Sequence, residues 1–153
     1  MRYDVSIAIN APAERVWSVV SDVERWPRVT ASVSSVERLE HGPFAVGSRA
    51  RIKQPRLATM IWTVTALEPG RSFTWTASSP GMNVIGEHRV EPGPGDAVTV
   101  TLSIVQSGLL EPIVRLLYGG LTRRYIQMEA EGVKRVSTGD PQLASAAPEP
   151  GTR

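Results

Sequence analysis

The sequence contains no cysteine and only two histidines, His41 and His88. Disulfides and thiolate chemistry are therefore excluded, and a metal centre built on cysteine and histidine has no ligand set to draw on. No apolar run approaches the roughly 20 residues that cross a bilayer, so no membrane span is expected. The opening MRYDVSIAIN lacks a basic region followed by an apolar stretch, so no secretory signal is expected either. Excess charge of one sign is also missing. With 17 basic and 15 acidic residues the formal charge is +2, which argues against nucleic acid as a partner. There is no G-x-S-x-G elbow, no phosphate-binding G-x-x-x-x-G-K-[ST] loop and no dinucleotide fingerprint, so no cofactor is expected. A cytoplasmic location is the default that these absences leave.

What is present is regular patterning over most of the 153 residues, a length that suits one domain. Residues 2 to 9 alternate, with Tyr3, Val5, Ile7 and Ile9 on one side, as a half-buried strand does. Ala11-Pro12 then opens a helix whose apolar side is Val16, Trp17, Val19 and Val20. Ser21 or Asp22 is placed to cap a second short helix, Val23 to Trp26, which Pro27 is expected to stop. Six strand-like runs follow, at 33–40, 48–54, 59–67, 72–77, 83–91 and 97–106, separated by short Gly/Pro turns such as Glu68-Pro69-Gly70-Arg71. That spacing implies an antiparallel meander. From about 110 to 136 the period changes to that of one long helix, with Ile113, Leu117, Leu121, Tyr125, Met128 and Gly132 as its expected apolar face. Gly119-Gly120 is expected to weaken or kink it and raises the question of a gate. The domain is thus expected over 1–136. Residues 137–153, rich in Pro, Ala and Ser, read as a disordered tail.

The order of elements, together with Ile9-Asn10-Ala11-Pro12-Ala13-Glu14-Arg15-Val16-Trp17, Asp22-Val23-Glu24-Arg25-Trp26-Pro27, Gly47-Ser48-Arg49 and the hairpin Val64 to Trp75, resembles the START-like (SRPBCC) superfamily and, within it, the polyketide cyclase/dehydrase-like proteins. The resemblance implies an α+β helix-grip fold. A curved antiparallel sheet of about seven strands wraps the C-terminal helix, two short helices follow the first strand, and a hydrophobic cavity lies between sheet and helix. Trp26 is then expected near one end of that cavity. Fold alone leaves activity open, because the superfamily hosts both binders and enzymes.

Alternation points Met60, Trp62, Phe73, Trp75, His88 and Gln106 inward, and the helix adds Tyr118 and Tyr125. With Trp26, these are the candidate ligand-binding residues. The aromatics suit a flat apolar ligand and equally suit ordinary core filling. His88 is the candidate catalytic residue, since imidazole titrates near neutrality and can move protons in aldol closure or dehydration. Its alternative is a histidine satisfied by one hydrogen bond. No carboxylate pair stands out, and Arg123-Arg124 read as a solvated face. Two functions remain open on these residues: binding of a hydrophobic or aromatic small molecule, and a polyketide cyclase/aromatase-like reaction in the same cavity. Oligomeric state is unreadable.

Overall fold

Short turns between alternating strands leave the chain only one economical arrangement, in which each strand pairs with the next. The computed structural model, which describes residues 1–139, has that arrangement. Strands β2 (Ser35–Arg38), β3 (Arg49–Lys53), β4 (Met60–Glu68), β5 (Ser72–Ser79), β6 (Met82–Pro92) and β7 (Val98–Ser107) form the meander. Strand β1 (Arg2–Ile9) joins its far edge beside β7, giving the order β1-β7-β6-β5-β4-β3-β2, antiparallel throughout. The register between β4 and β5 slips between Val64 and Ala66, a bulge that bends the sheet. The inward rows expected on β3, β4, β5 and β6 are buried, with Met60 half-buried, while Arg49, Arg51 and Lys53 face solvent.

Between β1 and β2 lie helix α1 (Ala13–Ser21), a 3-10 turn (Val23–Arg25) and helix α2 (Trp26–Val29). Asp22 sits at the cap position, but its side chain makes no capping hydrogen bond. Pro27 does not stop the second segment. Trp26 is helical and Pro27 occupies the first turn of α2, where its missing N–H costs nothing. The preference of a pre-proline residue for extended backbone is outweighed by burial of the Trp26 indole, whose Nε1 donates to the Val20 carbonyl at 3.2 Å.

Helix α3 (Glu111–Ser137) runs unbroken through Gly119-Gly120. Its inward face is rotated from the expected one. Gly119, Ile126, Ala130, Gly132, Val133 and Ser137 are buried, whereas Ile113 and Leu117 are exposed. The apolar pattern misled because the first half of the helix is apolar on both sides. The second half is clamped against α2: a Cβ on Gly132 would lie 2.2 Å from the Val29 carbonyl oxygen, and Arg135 donates to that same oxygen at 2.7 Å. The expected tail starts at the last residue of α3, and its part from 140 to 153 lies outside the described residues.

Candidate functional site

Helix α3 packs closely against Tyr3 at Gly119 and against Val29 at Gly132, and along the face from Val114 to Glu129 a gap opens between helix and sheet. The gap is a cavity of about 270 Å³, a little below the roughly 300–1,000 Å³ usual for sites that enclose drug-sized ligands. Its sheet wall is Ile52, Met60, Trp62, Val84, Ile104 and Gln106. Its helix wall is Val114, Tyr118, Thr122, Tyr125, Ile126 and Glu129. The loop between β3 and β4 closes one side with Gln54, Arg56, Leu57 and Ala58. Tyr125 holds that loop, its hydroxyl donating to the Pro55 carbonyl at 2.5 Å.

The nine candidate residues divide into two groups. Met60, Trp62, Gln106, Tyr118 and Tyr125 line the cavity. Trp26, Phe73, Trp75 and His88 lie behind its wall in a packed aromatic nest. There the His88 imidazole stacks on Phe73, ring centres 4.3 Å apart and planes 7° from parallel, with Trp26 at 5.2 Å and the edge of Trp75 at 5.7 Å. Gly86, opposite Trp75 in the sheet, makes the nest possible, since a Cβ there would lie 2.9 Å from the indole nitrogen. Trp26 therefore belongs to the core rather than to an end of the cavity.

His88 reaches the cavity through one partner. Its Nε2 lies 2.9 Å from Oε1 of Glu129, a cavity-lining carboxylate that sequence reasoning missed. The available signal was helical spacing: Glu129 lies four residues after Tyr125 and seven after Thr122 on the true inward face. The Nδ1 of His88 is buried without a hydrogen-bond partner among the described residues. So is Oε1 of Gln106, on the cavity wall. Buried polar atoms normally find partners, so this unpaired acceptor, sealed within a cavity-lining side chain, stands out. The carboxyls held below the usual range lie elsewhere: Asp4 chiefly by the Ser103 hydroxyl, and Glu40 chiefly by the Arg49 backbone amide. No group of three or more potential metal ligands occurs among the described residues.

A curved seven-stranded sheet gripping a long C-terminal helix, with a cavity between them and two short helices after the first strand, defines a START-like helix-grip protein. Comparison with known proteins narrows the class: residues 1–138 match the family described as "Polyketide cyclase / dehydrase and lipid transport", and the chain belongs to it. A Streptomyces halstedii protein whose name contains the words polyketide cyclase is 32% identical over 91 residues, 58% of this chain and 72% of that one. The fold is similar to that of the Zhui aromatase/cyclase of Streptomyces sp. R1128, with a TM-score of 0.71 and 18% identity, covering 96% of this chain and 99% of the other. It is also similar to a START superfamily protein of Mycobacterium smegmatis, with a TM-score of 0.69 and 15% identity, covering 88% and 98%. Among the described residues no helix is long and apolar enough to cross a membrane.

Proposed function

We propose that the protein binds a hydrophobic or aromatic small molecule, polyketide- or lipid-like and bearing hydroxyl groups, in the cavity between sheet and α3. The observation that carries this reading is the unpaired Gln106 Oε1, buried on an otherwise largely apolar wall. A turn of the carboxamide that brings Oε1 to the cavity lets a ligand hydroxyl donate to it and removes the cost of an unsatisfied buried acceptor, and a second hydroxyl suits the Glu129 carboxylate. Trp62 and Met60 supply the apolar contact. The carboxylate on the wall disfavours ligands whose buried end is itself anionic.

The test is titration of tryptophan fluorescence with hydroxylated polycyclic aromatics, sterols and fatty acids. Hydroxylated aromatics are expected to quench saturably and to bind more tightly than fatty acids. Gln106→Leu is expected to weaken a hydroxylated ligand by roughly tenfold, the worth of about one hydrogen bond, and to leave its deoxygenated analogue unchanged. Equal affinity of both proteins for the hydroxylated ligand would refute the reading.

A second reading is favoured by the His88–Glu129 contact: a cyclase in which the cavity folds a poly-β-ketone chain. Glu129 takes the proton from a carbon between two carbonyls. The resulting enolate carbon bonds to a ketone carbon further along the chain, and that ketone oxygen takes up a proton. Loss of a second proton from carbon and of the new hydroxyl as water gives the double bond. His88 holds the carboxylate in place and shares its proton through Nε2. Gln106 and Tyr118 offer donors to the oxygen on which charge develops. Turnover is expected to yield a product lighter by one water in mass spectrometry. Glu129→Gln is expected to abolish turnover and keep binding, and loss of both together would refute the catalytic role.

A further inference from the structure

The first half of α3 and the turn that leads into it are apolar on the side away from the cavity. Leu109 is 93% exposed, Leu116 85%, Leu117 66% and Ile113 56%. At 100° per residue Ile113, Leu117, Gly120 and Arg124 fall on one line along the helix, opposite the cavity-lining Tyr118, Thr122 and Glu129. A helix apolar on both faces is ordinarily covered on both. The neighbouring segments extend the apolar character. The β5–β6 turn, residues 78–83, carries no charge and packs on Leu110, and the loop 54–59 carries only Arg56. Across residues 107–120 the only charged side chains are Glu111 and Arg115. Glu111 is turned inward, 15% exposed, lying 3.8 Å from Arg115 and 3.7 Å from the N-terminal amine. Arg56 and Arg124 form no ion pair among the described residues.

We infer that this end of the molecule docks on an anionic lipid surface. Leu109, Ile113, Leu116 and Leu117 enter the acyl boundary, while Arg56 and Arg124 lie at the level of the phosphates. A second copy of the chain fits worse. The one carboxylate inside the stripe, Glu111, is already turned inward on Arg115 and the N-terminal amine, and the exposed Glu131 lies about two turns beyond Arg124, outside the apolar patch. The cavity reaches the same end, since Val114 and Tyr118, next in sequence to Ile113 and Leu117, line it together with Arg56. In that one respect the inference rests on the proposed apolar ligand, which would pass between lipid and cavity without crossing water.

The test is flotation with vesicles of phosphatidylcholine alone, and of phosphatidylcholine and phosphatidylglycerol in equal parts, with no cavity ligand added. The full chain is expected to float with the anionic vesicles and to be released by high salt. Leu116→Ser with Leu117→Ser is expected to weaken flotation by roughly tenfold or more. Arg56→Gln with Arg124→Gln is expected to weaken it by roughly thirtyfold on anionic vesicles only, from about 1 kcal/mol per arginine. Both pairs of side chains are exposed, and unchanged far-ultraviolet circular dichroism checks that each variant is folded. Absence of flotation by the wild type, or equal flotation of the leucine variant, would overturn the inference. So would light scattering that shows a wild-type dimer which the leucine variant splits, because the stripe would then belong to a second copy. None of these outcomes alters tryptophan quenching by a hydroxylated aromatic in vesicle-free solution, so failure of docking and failure of the cavity reading are told apart.

Discussion

Replacing Glu129 by leucine removes the one hydrogen-bond partner of a histidine that is 5% exposed. Both ring nitrogens of His88 would then be unpaired, because Nδ1 already is. An unsatisfied buried polar group costs about 1–3 kcal/mol, and the added apolar contact of leucine returns less than about 1 kcal/mol. A net loss of about 2 kcal/mol follows, or about 4–8 °C in melting temperature for a chain of this size. The reverse change, His88→Phe, costs less. Its ring still stacks on Phe73, and the deserted carboxylate opens on the cavity, where water reaches it. That variant is expected within about 1 kcal/mol of wild type. The double variant leaves neither polar group behind and is expected to recover most of the Glu129→Leu loss, a coupling of about 2 kcal/mol. Urea denaturation of the four proteins, followed by circular dichroism, measures the cycle. Equal single losses that add within about 0.5 kcal/mol would refute the claim that His88 is sealed and Glu129 is not.

The glycines of α3 supply a contrasting pair. Gly120→Ala meets open space and is expected to stabilise by about 0.8–1 kcal/mol through helix propensity, whereas Gly132→Ala drives a methyl into the Val29 carbonyl and is expected to destabilise by about 1–3 kcal/mol; thermal melts of both variants check the signs. Asp4 is held below its usual value by the Ser103 hydroxyl, so its contribution to stability is present above the ordinary carboxylate range and is lost as pH falls through the lowered folded value. Ser103→Ala is therefore expected to cost no more than about 0.5 kcal/mol at neutral pH, solvent screening the half-exposed carboxylate, and nothing once Asp4 is protonated in both proteins; denaturant curves at neutral and strongly acid pH compare them.

The sheet was legible in the sequence because each strand buries one face, so alternation reports register directly. Ala50, Ile52, Trp62, Val64, Phe73 and Trp75 are buried as that alternation requires. Helix α3 was legible in extent but not in orientation. A periodic rule finds the more apolar stripe, and here Ile113, Leu116 and Leu117 make the solvent side as apolar as the core side. Glu129 was hidden by the same error: with the face misplaced, a carboxylate on it reads as surface. Trp26-Pro27 misled through a local preference that a buried indole overrides. Which inward residues reach the cavity and which fill the nest behind it was beyond alternation, because that depends on where α3 lifts away from the sheet.

The aromatic nest has an optical consequence. Trp62 stands on the cavity wall with its ring centre 5.6 Å from that of Trp75, and Trp75 stands 5.2 Å from Trp26. Three of the four tryptophans thus form one relay of indoles at distances where excitation passes between rings. A guest that touches Trp62 alone dims the emission of all three. The depth of quenching would then report occupancy of the cavity while overstating how many rings the guest meets, and a Trp62→Phe variant would isolate the silent pair from the reporter.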